Sequence, residues 1–134
     1  MAQTLEGIKL VIVDDEPGIL RALTLILSSL KCQVTALSSP KMVLEHIEQG
    51  GTPDAIVSDL RMPEMSGIEL LFALRFAGVN TPFILMSGHA TPQEVASAQG
   101  GNLTAFLSKP FVPQDLVREL EKVCPAIQRV ANST

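Results

Sequence analysis

The stretch Ile8-Lys9-Leu10-Val11-Ile12-Val13-Asp14-Asp15 decides the fold. Its nearly unbroken apolar run from Ile8 to Val13 suits a strand covered on both faces rather than a half-exposed strand of alternating polarity. Strands of that kind belong to parallel sheets, and this one delivers two carboxylates to its C-terminal end. From Pro17 the period changes. Leu20, Leu23, Leu27 and Leu30 fall at i, i+3, i+7 and i+10, with the proline in a first turn where its missing N–H costs nothing.

The alternation continues outward from that start. Gln33 to Leu37 predicts a second strand, and Ser39-Pro40 an N-cap and first-turn proline for a helix carrying Val43, Leu44 and Ile47 and stopped by Gly50-Gly51. Ala55 to Ser58 predicts a third strand running into Asp59. Ser66-Gly67-Ile68-Glu69 matches a capping box, opening a helix whose apolar face is read as Ile68, Leu71, Phe72 and Phe76. Phe83 to Met86 predicts a fourth strand ending at Ser87. Thr91-Pro92-Gln93-Glu94 is a second capping box, but its helix offers only Val95 as a large apolar residue before Gly100-Gly101, so a loosely held helix is expected. Ala105 to Leu107 predicts a fifth strand, followed by Ser108-Lys109-Pro110. Pro113 starts a last helix with Leu116, Val117, Leu120 and Val123, ended by Cys124-Pro125.

Five strands alternating with five helices predict an α/β fold, a doubly wound five-stranded parallel sheet with right-handed crossovers. Ligands of such sheets bind beyond the carboxyl ends of the strands. The chain has 134 residues, 46% of them hydrophobic and 18% charged, which predicts a single domain over 1–134. Its core is expected at about 7–124, with the polar segment Gln128 to Thr134 as a frayed end or linker stub. No output domain is expected within this length, which leaves open a free-standing unit or a module of a longer protein.

Charge and cysteine usage exclude several classes. A formal net charge of −4 carries no electrostatic footprint for a nucleic-acid backbone, so no direct nucleic-acid binding is expected. Cys32 and Cys124 lie in no CxxC or Cys/His cluster, which speaks against disulfide staples and structural zinc. Residues Met1 to Gly7 lack a basic segment followed by an apolar one, and no apolar run approaches the roughly 18 residues of a membrane span. A cytoplasmic setting with no membrane contact is expected.

The strand ends carry the chemistry. Asp14 and Asp15 follow the first strand, Asp59 the third, Ser87 the fourth and Lys109 the fifth, so one sheet edge collects them all. Like charges held there repel by about 4 kcal/mol per pair at 4 Å and an effective dielectric near 20. Such a cluster should take a cation or bind protons, and oxygen ligands without His or Cys favour Mg²⁺. Lys109 adds a point positive charge and Ser87 a hydroxyl donor, the groups an Asp nucleophile needs for phosphoryl transfer. Singly, Asp14-Asp15 reads as a turn and cap, Ser87 as a turn residue and Lys109 as a solvated lysine. Their joint placement at strand ends changes that reading.

Asp14-Asp15-Glu16, Asp59-Leu60-Arg61-Met62-Pro63-Glu64-Met65-Ser66-Gly67, Ser87-Gly88 and Lys109-Pro110-Phe111 together resemble the receiver domain of two-component response regulators, of chemotaxis-regulator-like form. The motifs occur in order across nearly the whole chain. The resemblance implies a flavodoxin-like fold with strand order 2-1-3-4-5. It further implies that Asp59 is the phosphoacceptor, that Asp14, Asp15, Asp59 and the Arg61 backbone carbonyl hold Mg²⁺, and that Lys109 contacts the phosphoryl oxygens. Ser87 and Phe106 would be the switch residues, and a cis bond is favoured at Lys109-Pro110. The partner would be a sensor histidine kinase or a histidine phosphotransfer protein, with a downstream target and a phosphorylation-dependent homodimer as forms of output.

Two departures from the family pattern stand out. Phe106 replaces a common tyrosine and so has no phenolic hydroxyl, and Gly100-Gly101 replaces a common Gly-Ala, which predicts a flexible end to the fourth helix. Arg61 and His89 are expected near the mouth of the site, where they would tune phosphoryl lifetime by controlling water access.

Rival functions fit less well. A haloacid dehalogenase-type phosphatase would place Asp-X-Asp after the first strand, where this chain has Asp14-Asp15-Glu16-Pro17. A pseudo-receiver would not need Asp59, Ser87 and Lys109 together. A nucleotide-binding fold lacks both GxGxxG and GxxxxGK[ST] here.

Overall fold

The computed structural model describes residues 5–124. The expected polar tail at Gln128–Thr134, Pro125 and most of the N-terminal segment lie outside these residues. The elements run β1 (Lys9–Val13), α1 (Pro17–Ser29), β2 (Gln33–Leu37), α2 (Pro40–Glu48), β3 (Ala55–Asp59), α3 (Gly67–Phe76), β4 (Phe83–Ser87), α4 (Pro92–Gly100), β5 (Ala105–Ser108) and α5 (Pro113–Val123). All strand pairs are parallel, in the order β2-β1-β3-β4-β5. Both the architecture and the strand order agree with the reading from sequence.

Alternation along each strand divides the core in two, because successive side chains leave a strand on opposite faces. Leu10 and Ile12 of β1 pack with Val57, Ile84 and Met86 under Leu23 and Leu27 of α1 and Leu116 and Leu120 of α5. Val11 and Val13 pack with Ile56, Phe83 and Leu85 under Val43 of α2, Leu70, Leu71 and Leu74 of α3, and Ala98 of α4. Every residue of β3 and β4 is buried, as the unbroken apolar runs require of central strands.

Three strands, β3, β4 and β5, end one residue later than the apolar pattern suggested, and for β3 and β4 the difference bears on function. The ladder continues through Asp59, opposite Met86, and through Ser87, opposite Ser108. These polar residues are held by the sheet rather than by a loop.

The expected apolar face of α3 needs correction. Leu70, Leu71 and Leu74 are buried with Gly67, whereas Phe72 is 42% and Phe76 95% exposed. The helix is apolar nearly all round, so its sequence supports two overlapping stripes. Gly67 selects between them. A Cβ there would collide with the Asp59 carbonyl oxygen and Leu85 Cδ1, so this turn must face the sheet, and the residues at i+3, i+4 and i+7 follow it inward.

Both capping boxes form as read: Ser66 with Glu69, and Thr91 with Glu94. α4 is sparsely packed, since Ala98 is its buried residue and Val95 is half-buried. Gly101 has a reason other than the flexibility expected of it. It is buried, with φ −85°, and a Cβ there would lie 3.1 Å from Leu71 Cδ2, so a small residue lets the end of α4 approach α3.

Candidate functional site

Asp14 leaves the end of β1 with its N–H bound to the Leu37 carbonyl at 3.2 Å. Its Oδ1 accepts the Glu16 N–H at 2.9 Å, which helps start α1, whose N-cap Glu16 uses no side-chain cap of its own. Asp59 is fixed from behind. Leu60 N–H donates to Met86 O at 2.9 Å, Gly67 N–H to Leu60 O at 2.8 Å, and the Ser58 hydroxyl to Asp59 O at 2.9 Å. Asp14, Asp15 and Asp59 each offer a carboxylate oxygen within 4.8 Å of the others. Asp14 is fully buried, Asp59 nearly so, and Asp15 is exposed, leaving the cluster open on one side.

Lys109 arrives from the end of β5. Its Nζ donates to Asp59 Oδ1 at 2.9 Å and stands 3.7 Å from Asp14 Oδ2. Its N–H donates to Ser87 O at 2.9 Å, and the Lys109-Pro110 peptide bond is cis. Burial acts to lower the Lys109 pKa, but the hydrogen bond and charge of Asp59, with the charges of Asp14 and Glu16, outweigh it and hold the ammonium above its ordinary value. Asp14 moves in the opposite chemical sense. Burial, reinforced by the charge of Asp59, raises its pKa despite the Glu16 N–H and Lys109.

The donor set suits a hard divalent cation. Three carboxylates converge, and Asp14 Oδ2 is buried without a hydrogen-bond partner. A buried carboxylate oxygen left without a donor is costly unless something positive meets it, and Lys109 at 3.7 Å meets it only through its charge. An ion coordinated by oxygens fits that need.

Ser87 is buried, with its Oγ accepting the His89 N–H at 3.1 Å. Phe106 is half-buried in β5, opposite Leu85, and packs against the α3 side of the core. Arg61 and His89 lie together, with Arg61 Nη2 donating to His89 O at 2.9 Å. The same guanidinium pairs with Glu94, which sequence reasoning treated only as a capping residue. That pairing joins residues 33 apart, and no local pattern signals it. A groove of about 630 Å³ opens beside Lys109, lined by Ile19, Leu23, Ile26, Pro110 and Phe111 among others.

A family model described as response regulator receiver domain matches residues 10–121. The response regulator protein TmoT of Ectopseudomonas mendocina is 34% identical over 118 residues, covering 85% of this chain and 53% of that protein. An uncharacterized 14.6 kDa protein in the sodA1 3' region of Leptolyngbya boryana is 31% identical over 126 residues, covering 92% of this chain and 95% of that one. Among solved structures, chemotaxis protein CheY4 of Vibrio cholerae superposes with a TM-score of 0.81 at 26% identity, covering 87% of this chain and 98% of CheY4. The chain thus spans about half the length of the TmoT and TodT regulators and nearly all of the other two proteins. Among the described residues, no helix is long and apolar enough to cross a membrane.

Proposed function

The chain belongs to the response regulator receiver domain family, and from that premise we propose that Asp59 is the phosphoacceptor of a two-component phosphorelay. A receiver domain is a signalling module rather than a conventional enzyme, and it implies a partner histidine kinase. The donor in this proposal is a phosphohistidine on that kinase or on a histidine phosphotransfer protein. A carboxylate oxygen of Asp59 attacks phosphorus, the P–N bond breaks, and the imidazole nitrogen leaves with the electron pair. An acyl phosphate results, and water later cleaves it.

The observation that carries this reading is the contact of Lys109 Nζ with Asp59 Oδ1 at 2.9 Å, inside a cluster whose carboxylate oxygens lie within 4.8 Å. Lys109 can exchange Asp59 for a phosphoryl oxygen without changing its place, so its charge is organised before the reaction. Asp14, Asp15, Asp59 and the Arg61 backbone carbonyl would hold Mg²⁺. When bound, the ion supplies positive charge that offsets the carboxylates and the incoming phosphoryl oxygens.

Ser87, whose hydroxyl lies at the end of β4, supplies a donor to the phosphoryl group once it moves, and Phe106 turns inward as the neighbouring loop shifts. The output is a changed surface formed by α4, β5 and α5, recognised by a downstream target or a second phosphorylated copy. Sparse packing of α4 supports its use as the moving element. Arg61 and His89 limit water access and so set phosphoryl lifetime. The apolar groove beside Lys109 supports docking of the phosphodonor next to the acceptor. Residues 1–134 act in this proposal as a single cytoplasmic receiver module.

Intact-protein mass spectrometry after incubation with acetyl phosphate tests the reading. A Mg²⁺-dependent, base-labile phosphoryl adduct that is absent from Asp59→Ala is expected. Folded, Mg²⁺-bound protein that never acquires the adduct, even from phosphohistidine donors, would overturn it.

A further inference from the structure

The Arg61 side chain reaches from the loop after β3 to the first turn of α4. Nη1 donates to Glu94 Oε2 at 3.1 Å and Nη2 to Glu94 Oε1 at 2.9 Å, a two-pronged pair, while Nη2 also donates to His89 O at 2.9 Å. Glu94 Oε1 accepts the Thr91 N–H at 2.9 Å as well. The carboxylate that closes the cap of α4 is therefore the one that holds the guanidinium. The Thr91 N–H, then Arg61, lower the pKa of Glu94 and keep it ionised.

These bonds join the loop beside the phosphoacceptor to the loop that follows Ser87 and carries His89. Side-chain packing on α4 is otherwise sparse, with Ala98 its buried residue and Val95 half-buried. Ser87 and His89 are tied together by the His89 N–H to Ser87 Oγ bond, and the His89 carbonyl is tied to Arg61. Displacement of Ser87 and the loop that follows it toward a phosphoryl group on Asp59 would disturb the Arg61 contacts.

We propose that the Arg61–Glu94–His89 clasp is a latch that biases the β4–α4 loop and α4 toward the resting arrangement and so restrains the response to phosphorylation, with Glu94 as its positioning residue. The proposal rests on the phosphoacceptor reading. A contact that favours one of two states is weakened by whatever favours the other, so the clasp and a phosphoryl group on Asp59 oppose each other reciprocally. The Arg61 and Glu94 side chains are 58% and 28% exposed, so the effect is modest. A pair of that kind shifts an equilibrium by about two- to fivefold.

Two variants of the full chain separate the clasp from the cap. Glu94→Gln removes the charge and one of the two acceptors, while glutamine still closes a capping box. Arg61→Ala removes the guanidinium but keeps the backbone carbonyl and the Thr91–Glu94 cap. Beryllium fluoride, titrated in saturating Mg²⁺, serves as the phosphoryl probe, and amide hydrogen exchange of residues 88–98 is followed without it. Each single variant is expected to bind the probe about two- to fivefold tighter and to exchange faster over 88–98, with the double variant no further displaced than the singles. Unchanged Glu94→Gln in either measurement, or single effects that multiply in the double variant, would overturn the latch. If the unsubstituted chain takes up neither beryllium fluoride nor a phosphoryl group, the phosphoacceptor reading falls, and the latch with it. Uptake by the unsubstituted chain with unaltered variants removes the latch alone.

Discussion

Lys109 Nζ stands 2.9 Å from Asp59 Oδ1, joining residues 50 positions apart at the carboxyl edge of the sheet. The ammonium also faces Asp14 Oδ2 at 3.7 Å, so in the resting protein it is the cation nearest to two buried carboxylates. It occupies by charge what a divalent ion would occupy by coordination.

Lys109→Met is therefore expected to separate binding from transfer. Loss of the competing charge should tighten Mg²⁺ binding severalfold, while phosphorylation by acetyl phosphate slows by about tenfold or more for want of the positioned cation. The metal-free protein should lose about 1–3 kcal/mol, because its carboxylates lose a charged hydrogen-bond partner. Calorimetric Mg²⁺ titration and denaturant unfolding measure the two effects. Unchanged or weaker Mg²⁺ binding would remove Lys109 as the resting counter-ion.

Asp14 should make Mg²⁺ binding sensitive to acid at a higher pH than an ordinary aspartate would. Its pKa is raised above 3.8 by burial, so the metal-free folded protein takes up this proton at a higher pH than the unfolded chain does. Stability of the metal-free state then falls as pH rises from 3.8 through the raised value, and Mg²⁺ held by the Asp14 carboxylate as proposed binds more weakly as pH falls back through it. Asp14→Asn should raise Tm without Mg²⁺ at pH 7 and abolish the further rise on adding Mg²⁺. A variant whose Tm drops in metal-free buffer would contradict the burial argument.

Gly67→Ala should damage the site from behind. The added Cβ meets the Asp59 carbonyl oxygen and Leu85, buried atoms of the sheet that have little room to retreat. A loss of about 1–3 kcal/mol is expected from overpacking, accompanied by weaker Mg²⁺ binding as Asp59 is displaced. Wild-type stability in this variant would mean that α3 can back away from the sheet.

Two substitutions in α3 test which of its faces is structural. Leu74→Ala removes a side chain that is 1% exposed and should cost about 2–5 kcal/mol. Phe76→Ser alters one that is 95% exposed and should change stability by less than about 0.5 kcal/mol. Urea midpoints of the two variants decide, and comparable losses would reverse the assignment of the buried stripe.

Where sequence reading failed, the physical cause was a pattern with two solutions or a contact with no local signature. α3 contains enough apolar residues for two stripes, and the close approach of Gly67 to Asp59 chose between them. The paired glycines after α4 suggested flexibility, whereas Gly101 serves the packing against Leu71. Glu94 was legible as a cap because a capping box is local, but its pairing with Arg61 spans 33 positions.

The order and type of the elements were determined by sequence alone, since apolar runs, leucine spacing and capping residues act over a few neighbouring positions. The same holds for the collection of Asp14, Asp15, Asp59, Ser87 and Lys109 at one edge, because parallel strands must present their ends together. Tertiary structure alone decided which carboxylate oxygen lacks a donor, which one Lys109 grips, and which guanidinium bridges the two loops. Those outcomes depend on distances between distant segments and on the exclusion of water, neither of which a local pattern of residues encodes.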